Sequence, residues 1–97
     1  MNEVKKACSK YAVMFRMNVG AIQTKNGYFR TGVPVGFSDL FGFRRTDGKA
    51  IFLEVKTPKG RVSKKQEEFL NAMKTYGAIA GVVRSTDDAI KLIKEDF

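Results

Sequence analysis

The stretch I-F-L-E-V-K at residues 51–56 is rich in β-branched and aromatic residues and ends just before Pro58, which predicts a β-strand. Side chains alternate across a strand, so Glu54 and Lys56 project from the same face. Two charges on a mostly hydrophobic strand are costly unless they pair, bind a metal or take part in chemistry. The function of the chain should therefore be sought around this strand.

The remaining elements are predicted outward from this strand. Residues 46–49, T-D-G-K, form a hairpin turn back to a strand at 37–43, and S-K-K-Q at 63–66 is a capping-box pattern that starts a helix ending before Gly77. The other predicted elements are a helix at 3–15, a strand at 17–24 with an Asn26-Gly27 turn after it, a strand at 78–83, and a helix from residue 85. The prediction is one α/β (α+β) domain, residues 1–97, in the order α-β-β-β-α-β-α.

The composition excludes several kinds of site. The chain has no histidine and one cysteine, Cys8, which rules out Ser-His and Cys-His catalysis, zinc fingers and an intrachain disulfide. Carboxylates, lysines and a hard cation such as Mg²⁺ remain for catalysis. A lone cysteine fits a reducing compartment, and no signal peptide or membrane span is predicted, so the expected location is the cytoplasm.

The net charge of +8 is concentrated in the middle of the chain. Residues 44–65 contain eight basic and two acidic residues, whereas residues 66–97 contain four basic and six acidic residues. A basic zone of this kind makes nucleic acid the leading candidate partner, the alternative being an ordinary solvated basic face.

Asp39 and Glu54 fall on the two strands of the predicted hairpin, eight residues before and seven after Asp47. A nearly symmetric register would place the two carboxylates across from each other, where they repel unless a cation lies between them. Lys56 adds an ammonium at the same place. This set suits metal-assisted phosphodiester hydrolysis. A cross-strand ion pair without function is the alternative that the spacing leaves open.

The predicted helix that begins after Ser63 has lysines in its first turn, where the helix dipole disfavours cations. A helix N-terminus surrounded by basic residues is a ready site for phosphate, or the side chains simply point into water. The bases expected to hold DNA phosphates are Arg16, Lys59, Arg61, Lys64 and Lys65. Glu3 lies in the first turn of the first predicted helix, where a role in balancing the dipole and a functional role are equally open.

The chain also resembles the virus-type replication-repair nuclease (VRR-NUC) domain, a branch of the PD-(D/E)XK nuclease superfamily. The matching motifs are R-M-N-V-G-A at 16–21, G-F-S-D at 36–39, F-L-E-V-K-T-P-K-G at 52–60 and S-K-K-Q at 63–66. Ser38 stands where the superfamily pattern has proline. The resemblance implies a restriction-endonuclease-like core, a mixed sheet flanked by helices, and small stand-alone relatives from phages and bacteria.

The resemblance also implies roles for individual residues. Asp39, Glu54 and the backbone carbonyl of Val55 would bind the metal, with Glu3 as a further ligand. Lys56 would be the catalytic lysine and Gln66 an accessory active-site residue, alongside its capping role.

The leading hypothesis is a Mg²⁺-dependent endodeoxyribonuclease, with Mn²⁺ as an expected substitute, that cuts branched DNA as a homodimer in the manner of a Holliday junction resolvase. Two alternatives stay open. One is a general nicking or end-processing nuclease. The other is a catalytically silent DNA-binding module.

Overall fold

The computed structural model describes residues 2–17, 21–24, 27–30 and 36–94. The helices and strands in these ranges are α1 (Asn2–Cys8), β1 (Ala12–Arg16), β2 (Ala21–Thr24), β3 (Gly27–Arg30), β4 (Leu40–Arg44), β5 (Ala50–Val55), α2 (Lys64–Thr75), β6 (Ile79–Val83) and α3 (Thr86–Lys94). None of these helices has the length and hydrophobicity needed to cross a membrane.

The main sheet has four strands in the order β1-β4-β5-β6. β1 pairs with β4 and β4 with β5 in antiparallel orientation, whereas β5 and β6 run parallel. Together with the helices, this sheet confirms the predicted mixed architecture in the order α-β-β-β-α-β-α. A separate antiparallel pair, β2 and β3, lies between β1 and β4 in the chain, and its first strand falls within the predicted strand at 17–24.

Helices cover both faces of the sheet. On one face, α1 and α3 bury Val4, Cys8, Ala89 and Ile93 against a core that includes Leu53 of β5. On the other face, α2 packs its Leu70 against Phe52 and Ala80. The central strand β5 is therefore buried on both sides, which explains why an almost continuous hydrophobic run encodes it.

The turns that were predicted around β5 are present. Gly48 has φ +72° and donates its backbone N–H to Arg44 O at 2.8 Å, which closes the β4–β5 hairpin. Ser63 and Gln66 form the capping box of α2, and Gly77 follows the helix with φ +94°. Glycine suits both positive-φ positions because it has no Cβ.

The predicted helix at 3–15 is too long. The helix ends at Cys8, and residues 12–16 form β1, in which Ala12 and Met14 are buried while Phe15 is 50% exposed. Apolar residues recur at helical spacing up to residue 15 of the sequence. Residues 12–16 nevertheless form a strand, because β4 supplies hydrogen-bonding partners along their length.

Several strand boundaries also differ from the predictions: β5 is Ala50–Val55 rather than residues 51–56, so Lys56 follows the strand, and β6 begins at Ile79 rather than at residue 78. β4 begins at Leu40 rather than at Phe37. Of the predicted strand at 17–24, Met17 is not in a strand, residues 21–24 form β2, and residues 18–20 lie outside the described residues, as does Asn26 of the predicted turn.

Candidate active site

The hairpin register brings Asp39 next to Glu54. Leu40 pairs with Leu53, so the residue before β4 lies beside the residue that follows Leu53 on β5. Asp39 is fixed there by two backbone contacts: its Oδ2 accepts a hydrogen bond from Val55 N at 3.1 Å, and its carbonyl oxygen accepts one from Met17 N at 2.9 Å. The predicted proximity of the two carboxylates is therefore found in the structure.

The carboxylate of Glu54 is buried, with 1% of its side chain exposed. Its Oε1 accepts a hydrogen bond from Gln66 Nε2 at 2.8 Å and lies 3.6 Å from Lys56 Nζ. Its Oε2 is equally buried but receives no hydrogen bond in the described part of the protein. Buried polar atoms are rarely left without a partner, so this oxygen is open to a bound group or to a proton shared with the Asp39 side chain.

The surroundings of Glu54 favour its protonated form. Burial, reinforced by the Asp39 carboxylate, raises the pKa of Glu54 from 4.5 to about 7, and the Lys56 ammonium offsets only part of this rise. The charge of Lys56 is therefore not enough to keep Glu54 ionised beside Asp39 at its ordinary pKa, and a bound cation would favour the ionised form.

Gln66 serves two elements at once. Its Oε1 accepts a hydrogen bond from Ser63 N at 3.0 Å, and its backbone N donates to Ser63 Oγ at 3.1 Å, which completes the helix cap. The other end of the same amide donates to Glu54. The N-terminus of α2 is thereby connected to the end of β5, and the cap leaves the amide nitrogen of Gln66 able to donate to Glu54.

The segment before Asp39 is held close to α2. Gly36 has φ +91°, and a Cβ at this position would lie 2.7 Å from the carbonyl oxygen of Lys65, so a larger residue would push the segment away from the helix. Phe37 packs against Phe69 of α2 with ring centroids 4.8 Å apart. Ser38 is fully buried and donates its hydroxyl to Leu40 O at 2.9 Å, so the position that has proline in the superfamily pattern is held by a hydrogen bond.

Glu3 does not join the two carboxylates. It is exposed on α1 and lines a cavity of about 320 Å³ together with Lys56 and Arg84. Across residues 2–17, 21–24, 27–30 and 36–94, no three Asp, Glu or Cys side chains come together in a way that would hold a metal ion. Glu3 therefore lies on the Lys56 side of the site, outside the Asp39–Glu54 pair.

The predicted phosphate-binding residues are all exposed. Arg16 ends β1 and pairs in register with Leu40, next to Asp39. The other four lie on the loop at 57–63 or in the first turn of α2: Lys59, Arg61, Lys64 and Lys65. Arg44, which contributes to the basic zone of the sequence, is different because its side chain is 2% exposed and bonded internally.

Sequence reasoning missed Arg84. This exposed residue follows β6, and its Nη1 donates hydrogen bonds of 2.7 Å to both Thr57 O and Gly60 O in the loop after Lys56. No motif in the sequence signals this contact, because it joins positions 24 and 27 residues apart through backbone carbonyls that any residue would supply.

The VRR-NUC domain model matches residues 17–87 of the chain. A search of curated proteins with the same chain found no match. The matched segment contains Asp39, Glu54, Lys56 and Gln66, and it starts after Glu3 and Arg16. The match covers well over half of the chain and coincides with the part in which the carboxylate pair, the lysine and the capped helix meet. The chain therefore belongs to the VRR-NUC domain family, a family of nucleases.

Proposed function

We propose that the protein is a Mg²⁺-dependent endodeoxyribonuclease that hydrolyses phosphodiester bonds in branched DNA. The observation that carries this proposal is Glu54, a buried carboxylate beside Asp39 with one oxygen that accepts no hydrogen bond from the described residues. Membership of a nuclease family supports the reaction class. The charge of +8 supports DNA as the substrate.

The residues present fit a hard divalent cation. Mg²⁺ prefers oxygen ligands and is commonly held by one or two carboxylates. Asp39 and Glu54 would hold it together with the backbone carbonyl of Val55, and Mn²⁺ would substitute. When bound, the ion would polarise the scissile phosphate and acidify a water molecule. Glu54 Oε2, which receives no hydrogen bond from the residues the structure describes, and the raised pKa of the Glu54 side chain support this assignment.

The chain supplies the rest of the chemistry through its own side chains. The Lys56 side chain is 23% exposed, so its ammonium reaches solvent while it stays 3.6 Å from Glu54 Oε1. In the proposed reaction Lys56 orients the attacking water in line with the leaving oxygen and stabilises the negative charge that develops on the phosphate. Gln66 holds Glu54 in one orientation through its hydrogen bond to Oε1. The products are a 5′-phosphate and a 3′-hydroxyl.

The exposed basic residues on β1, the loop at 57–63 and the first turn of α2 would hold DNA by its backbone. Arg16, Lys59, Arg61, Lys64 and Lys65 are suited to phosphate contacts, which fix position and carry no base sequence. Recognition by DNA shape is therefore the expectation, with a branched structure such as a Holliday junction as the preferred substrate. A homodimer would present two such sites, one for each of two paired cuts.

The direct test is cleavage of a labelled four-way junction beside a linear duplex of equal length, with Mg²⁺, Mn²⁺ or EDTA. Paired, metal-dependent cuts near the branch are expected, and sedimentation should show a dimer. Asp39→Asn and Lys56→Met should each slow cleavage at least about a thousandfold. Lys49→Met, at the opposite end of the β4–β5 hairpin, is the matched control and should cut at the parental rate.

The outcomes separate the proposal from its alternatives. Equal cutting of the junction and the duplex would indicate a general nicking or end-processing nuclease. DNA binding with no cutting in any divalent ion would indicate a silent binding module. Parental rates in Asp39→Asn or Lys56→Met would show that the active site lies elsewhere.

A further inference from the structure

Arg84 reaches from the end of β6 to the loop that follows Lys56. Its Nη1 donates to Thr57 O and to Gly60 O, each at 2.7 Å. The same two residues close a tight turn through the hydrogen bond from Gly60 N to Thr57 O at 3.0 Å. One guanidinium nitrogen therefore holds both ends of the turn, and hydrogen bonds from a charged donor are stronger than neutral ones.

The start of α3 anchors Arg84 in turn. Arg84 N donates to Asp88 Oδ2 at 3.0 Å, and Asp88 N donates to Ser85 Oγ at 3.1 Å. Next to this contact, Lys56 N donates to Val83 O at 3.0 Å and continues the pairing of β5 with β6. Arg84 thus connects the loop that follows β5 to the first turn of α3.

The loop in question, residues 57–63, joins the two halves of the candidate active site. It begins after Lys56 and ends at Ser63, which caps the helix that carries Gln66. It also carries Lys59 and Arg61, both exposed. Long basic side chains lose conformational entropy when they align on phosphates, and a loop that is already ordered lowers that cost.

We propose that Arg84 is a positioning residue for DNA binding: it holds the turn at 57–60 so that Lys59 and Arg61 face the phosphates beside the scissile bond, without contacting DNA itself. This inference rests on the proposed function, which assigns those two residues to the DNA surface. A direct contact between Arg84 and a phosphate is the competing role, and the binding experiment below distinguishes the two.

The first experiment measures the loop without DNA. Trypsin cleaves after Lys59 and Arg61 when the loop opens. Arg84→Met keeps most of the side-chain stem and removes both hydrogen bonds, so it should speed cleavage at these two positions about tenfold. Arg45→Met is the matched control, because Arg45 is also exposed and donates to a backbone carbonyl, Ser9 O, at 2.9 Å. Parental cleavage rates in Arg84→Met would overturn the proposal whether or not the protein cuts DNA.

The second experiment measures binding of a labelled four-way junction in EDTA at several salt concentrations. The double substitution Lys59→Ala/Arg61→Ala should reduce the slope of log K against log[salt] by about 2, since each phosphate contact contributes about 0.9. Arg84→Met alone should weaken binding about fivefold, but less than about twofold when it is added to the double variant, because its effect passes through those residues.

An equal loss in both backgrounds would mean that Arg84 binds a phosphate directly, and it would overturn the positioning role while leaving the nuclease proposal intact. Unchanged binding in the double variant would remove the loop from the DNA surface, and the inference would fall with that part of the proposed function.

In steady-state cleavage, Arg84→Met should raise KM and leave kcat within about twofold of the parent. Arg84→Lys should restore little of the lost affinity, because an ammonium cannot reproduce the two guanidinium hydrogen bonds, whereas at a direct phosphate contact lysine would restore most of it.

Discussion

The β4–β5 hairpin buries one charged side chain near each of its ends. Arg44 lies beside the turn with 2% of its side chain exposed, and Glu54 lies near the open end with 1% exposed. Arg44 donates from Nε and Nη2 to the Asp47 carboxylate and from Nη1 to Ile93 O at 2.8 Å. Glu54, in contrast, has one oxygen in contact with Gln66 and Lys56 and a second that receives no hydrogen bond from the described residues.

The two ends shift carboxyl pKa values in opposite directions. The Arg44 guanidinium, with the backbone N–H of Lys49, lowers the pKa of Asp47 from 3.8 to about 2. Burial and Asp39 raise the pKa of Glu54 to about 7. Removing a partner from a buried ion pair is destabilising, and a buried carboxylate oxygen that receives no hydrogen bond from the described residues costs stability until a ligand arrives. The Arg44–Asp47 pair therefore differs from the candidate functional site at Glu54 in that each atom described for Arg44 has a hydrogen-bonding partner within the protein.

The largest expected effect concerns cleavage. Glu54→Gln should lower the single-turnover rate on a four-way junction in Mg²⁺ at least about a thousandfold, because it removes a proposed metal ligand while keeping the size of the side chain. Asp47→Asn, at the structural end, should cut within about twofold of the parent. A Glu54→Gln rate within tenfold of the parent would show that the open oxygen has no part in catalysis.

The second prediction concerns stability against pH in EDTA. The pKa of Glu54 is about 7 in the folded chain against an ordinary 4.5, so between these values the folded state binds more protons than the unfolded state. The free energy of unfolding should then fall as pH rises from 4.5 to 7. Glu54→Gln should escape this loss, so it should be more stable than the parent at pH 8 and differ much less from it at pH 5. Urea titrations at pH 5 and pH 8 measure the free energy of unfolding of both proteins. A Glu54→Gln variant that is less stable than the parent at pH 8 would contradict the prediction.

The third prediction uses the cation itself. Mg²⁺ that binds only the folded state at ten times its Kd stabilises the protein by about 1.4 kcal/mol. Thermal unfolding at pH 8 should therefore shift upward with Mg²⁺ in the parent and in Asp47→Asn, but not in Glu54→Gln. An equal shift in all three proteins would place the ion away from Glu54.

The smallest effect is expected at the structural end in acid. The lowered pKa of Asp47 means that its contribution to stability is present above pH 3.8 and is lost as pH falls toward 2. Asp47→Asn should therefore be less stable than the parent at pH 6, with the difference vanishing near pH 2. Glu68→Gln, an exposed carboxylate on α2, serves as the control and should match the parent at pH 6. A constant difference at all pH values would indicate lost packing and no ion pair.

Local sequence patterns predicted most of the elements around the site. Alternation, Pro58 and the turn at 46–49 predicted β5 and its hairpin, and that hairpin was enough to bring Asp39 and Glu54 together. The capping box predicted both the start of α2 and the contact between Ser63 and Gln66. These predictions succeeded because each depends on residues close together in the chain. β1 was missed because its strand form depends on pairing with β4, about 28 residues later.

The sequence by itself determined the residue types that can do chemistry here: it has no histidine, and it places two carboxylates and a lysine on one hairpin. Only the tertiary structure decided which charges are satisfied. The burial of Glu54, whose Oε2 receives no hydrogen bond from the described residues, depends on contacts between distant segments. So do the internal pairing of Arg44 and the contact of Arg84 with the loop after Lys56. A sequence specifies local geometry through nearby residues, whereas desolvation and partner count are properties of the packed chain.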